Sequence, residues 1–336
     1  MKLAVIGSGS WGTAITSLLA AKGYEVFLWS WKKEECERLA CDHENKEFLP
    51  GVKLEGNITF SNDIKYCIAD AQIIVLATPS HAIRSTAKEI SKHIKPEQIL
   101  LNISKGLEPD TLKRLSEVIN EEIPNVRLAI MSGPSHAEEV GHSMATANVV
   151  ASNDVTIPTF VQDIFMSPNF RVYTSDDILG VEIGGATKNV IALAAGIAIG
   201  LGCGDNTCAA LMTRGIAEIS RLGIAMGAKS ETFSGLTGIG DLIVTCMSKH
   251  SRNRSAGILI GKGKSLKEAT DEVHMVVEGV NACAAAYELA KKYNVSMPIT
   301  ECVYNILFKN MSVKNAVPLL MGREKRAESE HDILTR

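Results

Sequence analysis

The sequence predicts an α/β fold, with a doubly wound, mostly parallel sheet first and an all-α domain after it. Three observations carry this. Short β-rich runs alternate with helical segments through the first half of the chain. A glycine-rich turn follows the first of those runs directly. Beyond Asp176, strand-like runs nearly vanish and long helical stretches take over.

Taken in order, KLAVIG (2–7) reads as a buried strand, Trp11–Lys22 as a helix and EVFLWS (25–30) as a second strand. Ile58–Phe60 is a further strand. QIIVLA (72–77) stops at Thr78-Pro79, because proline cannot continue a central strand. ILLNI (99–103), RLAIM (127–131), NVVA (148–151) and FRVY (170–173) complete the set. The best helices of the second half are 176–202, 207–226, 255–262, 277–293 and 298–307, with Asn206 or Thr207 as cap of the second. Ser265 and Glu268 have the spacing of a capping box. The domains expected are 1–178 (dinucleotide-binding) and 179–322 (helical, substrate-binding). A charged, frayed tail is expected at 323–336.

The chain has 336 residues, 46% hydrophobic and 22% charged, with a formal net charge of -3. At roughly 100–200 residues per domain, two domains are natural. No basic block suggests nucleic acid. The start, MKLAVIGSGSWG, reads as a strand and turn rather than a signal peptide. Residues 189–204 are apolar but fall short of the ~20 needed for a membrane span, and their Ala and Gly suit close helix packing. The eight cysteines form no CxxC pair and no zinc-spaced cluster, so no metal site is expected. Scattered thiols suit a reducing cytoplasm.

Gly7-Ser-Gly9-Ser-Trp-Gly12 matches GxGxxG in the context that gives the pattern meaning, after a strand and opening a helix. Gly7 allows the turn, Gly9 lets backbone approach a pyrophosphate, and Gly12 lets helix pack on strand. Ser10 and Trp11 lie where they can touch phosphate and ribose. An NAD site usually has Asp or Glu about 20 residues on. Here stand Trp29-Ser30-Trp31-Lys32-Lys33. Lys32 and Lys33 can meet a 2′-phosphate, Ser30 can bond it and Trp31 can stack on adenine, so the residues lean to NADP(H) over NAD(H).

A dehydrogenase also needs a proton donor and a grip on its substrate. Lys188 heads an uncharged run, and on a helix it shares a small-residue face with Gly184, Ala192 and Ala195, open to a ligand. Partial burial would lower its pKa toward neutrality. Asp241, in GLTGIGDLIVTC, can pair with a buried lysine and orient it. Ser251-Arg252-Asn253-Arg254 suits a phosphate. Lys105 and the Gly133–Ser135 turn lie past presumed strand ends, where such sheets bind ligands. His136, beside that turn, reads as a structural or helix-start residue.

Seven blocks in this order resemble the NAD(P)-dependent glycerol-3-phosphate dehydrogenase family of bacterial type: GSGSWGT (7–13), NISKGLE (102–108), SGPSHAEEV (132–140), VEIGGATKNVIALAAGI (181–197), TRGIAEISRLG (213–223), GLTGIGDLIVTCMSKHSRNR (235–254) and VVEG (276–279). The resemblance spans about residues 1–321. It implies that Lys188 is the proton donor and acceptor, and that Lys105 contacts substrate and cofactor. It implies that Gly133 and Ser135 form the substrate turn beside a cofactor contact at Ala137. Asn189, Asp241 and Thr245 would order the lysine and substrate. Ser251, Arg252 and Asn253 would hold the substrate phosphate, with Arg252 also reaching the cofactor. Val276 and Glu278 would touch the cofactor. Members often carry Arg or His where this chain has Trp31, which weakens the transfer of a strict NADP preference. The resemblance further implies reversible reduction of dihydroxyacetone phosphate to sn-glycerol 3-phosphate, feeding glycerophospholipid synthesis. A small-molecule substrate, no nucleic acid, no membrane span and a homodimer are expected. Two alternatives stand beside it. One is a two-domain β-hydroxyacid or sugar-acid dehydrogenase, the other a non-catalytic dinucleotide sensor.

Overall fold

Eight strands form one sheet in the computed structural model, which describes residues 1–274, 276–325 and 327–328. They are β1 (Lys2–Ile6), β2 (Glu25–Trp29), β3 (Ile58–Ser61), β4 (Ile73–Leu76), β5 (Ile99–Asn102), β6 (Arg127–Ser132), β7 (Thr146–Ala151) and β8 (Phe170–Ser175), in spatial order β3-β2-β1-β4-β5-β6-β7-β8. Every pair is parallel except β6–β7. A parallel return needs a crossover of a dozen or more residues, usually with a full helix. Residues 133–145 hold only a five-residue helix, so β7 comes back antiparallel.

Helices α1 (Ser10–Ala21), α2 (Lys33–Asp42), α3 (Ile64–Ile68), α4 (Ile83–Ile90), α5 (Leu115–Glu122), α6 (Ala137–Gly141) and α7 (Thr156–Phe165) cover both faces of the sheet. Successive side chains of a strand point to opposite faces. Accordingly Leu3 and Val5 of β1 pack with Ile15 and Leu19 of α1 and Val161 of α7. Ala4 and Ile6 pack with Ile83 and Ile90 of α4 and Ile119 of α5. Burial on both sides explains why β1 reads as a continuous apolar run.

The second half contains α8 (Ile178–Gly200), α9 (Asp205–Ala225), α10 (Ser230–Phe233), α11 (Asp241–Met247), α12 (Arg252–Gly261), α13 (Leu266–Val273), α14 (Glu278–Lys292), α15 (Pro298–Phe308) and α16 (Ala316–Met321). Among the described residues no strand follows β8. Helix α8 is its axis: every residue from Gly180 to Ala198 is buried. It is the one described helix long and apolar enough to cross a membrane, yet it lies inside the protein. The Ser265–Glu268 capping box forms at the start of α13. Helix α9, however, is capped by the extended Gly204, not by Asn206 or Thr207, which puts Asp205 in the first turn. A carboxylate there is favourable toward the helix dipole. Of the tail expected at 323–336, Arg326 and residues 329–336 lie outside the described residues.

Two devices set α8 in place. Glu182, buried in its first turns, accepts from the Ser116 N–H at 2.8 Å, the Ser116 hydroxyl at 2.5 Å and Arg114 Nη1 at 2.8 Å, tying α8 to the start of α5. Further along, Gly196 and Gly200 face Gly257 and Gly261 of α12. A Cβ on Gly196 would stand 2.2 Å from the Arg254 carbonyl oxygen. Backbones this close need glycine on both sides, and the crossing brings the N-terminal end of α12 alongside α8.

Candidate active site

Lys188 lies in the middle of α8, 5% exposed. Its ammonium group pairs with Asp241 Oδ1 and donates to the Thr245 hydroxyl at 2.7 Å. Asp241 is the first residue of α11, and Thr245 is one turn on. The segment that delivers them, Leu236–Gly240, is a π-helical turn, with the Gly240 N–H donating to the Gly235 carbonyl at 3.2 Å. Such turns recur at functional sites. It docks on α8 through Thr237, whose hydroxyl donates to the Val181 carbonyl at 2.9 Å. Here the sequence reading of Gly184 is corrected. Its missing Cβ makes room for backbone, not ligand, since a Cβ there would meet the Thr237 carbonyl oxygen at 2.8 Å. Four residues after Gly184 on the same helix face, Lys188 meets Asp241.

The other oxygen of Asp241 takes Lys105, which donates to Oδ2 at 2.7 Å and to the Gly133 carbonyl at 2.8 Å. Lys105 comes from the loop past β5 and Gly133 from the end of β6, so one carboxylate joins sheet and helices. Burial by itself would raise the Asp241 pKa, but Lys105 and Lys188 outweigh it and hold the carboxyl below its usual range. Burial, with Lys105 adding to it, pulls Lys188 down to about 7 against the opposing pull of Asp241. An ammonium poised there can give or take a proton near neutral pH. His136, buried and near both lysines, is lowered by burial first and then by their charge, so it is neutral at pH 7.

Around this triad, Asn189 accepts from Asn253 Nδ2 at 2.9 Å, and Asn253 Oδ1 accepts from the Gly279 N–H at 2.8 Å. Ser251 caps α12, accepting from the Arg254 N–H at 3.2 Å, so Arg252 and Asn253 open that helix. The Ser135 hydroxyl donates to the Gly133 carbonyl at 3.0 Å. Ala137 begins α6 and is buried. Ser132 Oγ and His136 Nε2 are buried without a hydrogen-bond partner among the described residues. Orphaned polar atoms beside two ammonium groups suit a polar, anionic ligand.

The glycine turn between β1 and α1 fits a dinucleotide. Gly7 has φ +121, and a Cβ there would stand 2.7 Å from the Ala77 carbonyl oxygen. A Cβ on Gly12 would overlap the Gly7 carbonyl oxygen at 1.9 Å. A Cβ on Gly9, by contrast, would meet nothing within 4 Å. Two glycines close the turn and the third leaves its outer face open, as a pyrophosphate over the first turn of α1 requires, with Ser10, Trp11 and Gly12 supplying N–H groups. Glu278, at the start of α14, accepts from the Ser80 N–H at 3.1 Å and the Ser80 hydroxyl at 2.6 Å, closing the loop past β4. Arg252 Nη1 reaches the carbonyl of the half-exposed Val276 at 3.4 Å. Trp31 stays outside this cluster: it is 71% exposed, with the Lys32 ammonium 4.8 Å from its ring centre. Sequence reasoning missed Ser80, although a serine just past a strand-ending proline is a visible signal. It also missed Glu35, whose buried carboxylate accepts from both Ser8 and Ser30.

Comparison with known proteins places the chain. Residues 2–157 and 177–318 match the N- and C-terminal regions described for NAD-dependent glycerol-3-phosphate dehydrogenase. The chain is 53% identical over 330 residues, 98% of each chain, to a Fusobacterium nucleatum protein named glycerol-3-phosphate dehydrogenase of the NAD(P)+ type. A Moorella thermoacetica protein of the same name is 54% identical over 328 residues, again 98% of each. The crystal structure of glycerol-3-phosphate dehydrogenase from Coxiella burnetii superposes with a TM-score of 0.93 at 35% identity, covering 96% of this chain and 99% of that one. A ketopantoate reductase from Ralstonia eutropha, 14% identical with a TM-score of 0.63, shares the fold alone. The chain therefore belongs to the NAD-dependent glycerol-3-phosphate dehydrogenase family.

Proposed function

We propose that the protein interconverts dihydroxyacetone phosphate and sn-glycerol 3-phosphate, with Lys188 as proton donor to the ketone oxygen and acceptor from the alcohol. The single observation that carries the reading is Asp241, whose two carboxylate oxygens bind the ammonium groups of Lys188 and Lys105. The Gly7–Gly12 turn would hold a nicotinamide dinucleotide, which when bound would supply the hydride for reduction and take it up in oxidation. Asp241 and Thr245 aim the Lys188 ammonium. Lys105 neutralises charge that develops on the oxygen, and two cations over one anion leave the site positive for an anionic substrate. Ser251, Arg252 and Asn253 hold the phosphate at the start of α12, where N–H groups and the helix dipole favour an anion. Asn189 orients Asn253 for that grip. The product suits glycerophospholipid synthesis.

The same reading includes a homodimer in the cytoplasm. The eight unpaired cysteines suit a reducing compartment. Light scattering on the purified protein tests the dimer. Oxidation of reduced cofactor with dihydroxyacetone phosphate, set against an unphosphorylated β-hydroxyacid substrate in the reverse direction, tests the reaction. Turnover that demands the phosphorylated ketone is expected. Equal activity on the acid, or cofactor binding with no turnover at all, overturns it.

A further inference from the structure

One residue past the end of β2, where an NAD site on this fold usually carries its acid, stands Ser30. An acid nonetheless arrives there. Glu35, in the first turn of α2, turns its side chain back toward the sheet and is only 6% exposed. Its Oε2 accepts from the Ser30 hydroxyl at 2.7 Å. Its Oε1 accepts at 2.8 Å from the hydroxyl of Ser8, the residue between Gly7 and Gly9 of the cofactor turn. Ser8 is itself fixed, because Asn45 Nδ2 donates to its carbonyl at 2.7 Å and to the Thr13 hydroxyl at 2.8 Å. A carboxylate thus spans the gap between the glycine turn and the end of β2, the crevice that receives the adenosine ribose of a dinucleotide.

The hydrogen bonding here selects between two ribose substituents. Each serine hydroxyl has one proton, and both are given to Glu35. The carboxylate offers about four lone-pair sites and has two still to fill. A ribose 2′-hydroxyl brings a proton to them. A 2′-phosphate brings none, together with a charge of about -1.5 to -2 near neutral pH. The nearby lysines do not offset this from where they stand. Lys32 lies over the exposed Trp31 ring, and Lys33 pairs with Glu37 at 3.6 Å in solvent. This geometry opposes the NADP(H) preference expected from Lys32 and Lys33.

We propose that Glu35 is the specificity-determining residue for the cofactor: it binds the ribose 2′-hydroxyl and rejects a 2′-phosphate, so the protein prefers NADH to NADPH. The inference rests on the glycine turn holding the dinucleotide. Its test is direct binding, by quenching of tryptophan fluorescence in the full-length protein without substrate. Wild type is expected to bind NADH at least about tenfold more tightly than NADPH, the scale of one hydrogen bond to a charged group. Glu35→Gln keeps the shape and can still bond both serines, and it is expected to bring the two affinities within about threefold of each other. Glu35→Ala is expected to erase the preference as well, and the wild-type ratio stands as a test by itself should either variant fail to fold. Wild-type binding of NADPH as tight as that of NADH overturns the proposal, as does an unchanged ratio in the folded variants. Binding of neither cofactor by wild type removes the glycine-turn reading, and the proposal falls with it.

Discussion

Glycines crowd two regions of this protein, the turn at Gly7–Gly12 and helix α8 with its Gly184, Gly185, Gly196 and Gly200, and they do opposite things. At the turn, Gly9 faces open space, the space we propose for the cofactor. On α8, every one of the four would drive a Cβ into protein: Gly184 into the π-helical turn, Gly185 into the Ser132 hydroxyl at 2.7 Å, Gly196 and Gly200 into α12. The first region leaves one glycine, Gly9, open to a ligand, whereas all four on α8 admit neighbouring protein, backbone at Gly184, Gly196 and Gly200 and the Ser132 side chain at Gly185. The catalytic consequence in the second is indirect. Because the π-helical turn and α12 can sit against α8, Asp241 reaches Lys188 and Asn253 reaches Asn189.

Substitutions at these positions test the contrast. The largest effect is expected at Asp241, where the neighbouring backbone delivers its charge. Asp241→Asn leaves two ammonium groups without their counter-ion, and removing one partner of a buried pair costs about 3–5 kcal/mol. Lys188 escapes part of that cost by losing its proton, so ketone reduction at neutral pH should fall steeply while the thermal midpoint drops; steady-state rates and calorimetry read the two effects separately. Next comes Gly196→Val, which forces α8 and α12 apart. Overpacking of this kind costs about 1–3 kcal/mol, and denaturant unfolding should show it with reduced activity. Smallest in stability is Gly9→Ala. With φ -68 at that position alanine is unstrained, so the unfolding midpoint should shift by less than about 0.5 kcal/mol while cofactor binding weakens. A stability loss at Gly9 equal to that at Gly196 would erase the distinction between the regions.

How much of this was legible follows from range. Periodicity and turn chemistry are local, so all eight strands and the capping box at Ser265 could be read from neighbours in the chain. The pairing of Asp241 with a buried lysine was readable in kind, because a carboxylate in an apolar stretch needs a cation. Its sharing with Lys105 was not, since those residues are 136 positions apart and meet only through the fold. The antiparallel β7 follows from a connection whose helix is too short to carry the chain back across the sheet, a fact visible only once α6 is known to be five residues long. Glycine carries no label for what will face it, so Gly184 was read as space for a ligand. Glu35 sits six positions past the end of β2, and only the turn of α2 brings its carboxylate back to Ser30 and Ser8.

In the proposed reaction Lys188, tuned by burial and held by Asp241, moves the proton. The most direct test is the pH dependence of kcat/KM for dihydroxyacetone phosphate reduction in wild type and in Lys188→Ala. With the lysine at about 7, the reducing direction should decline as pH rises through that value and the proton is lost, and the oxidising direction should rise through it. Lys188→Ala should retain the fold by circular dichroism, lose at least about a hundredfold in kcat/KM, on the order of 3 kcal/mol of barrier, and show no inflection near 7. A variant with near wild-type turnover, or one that keeps the inflection, would contradict the account.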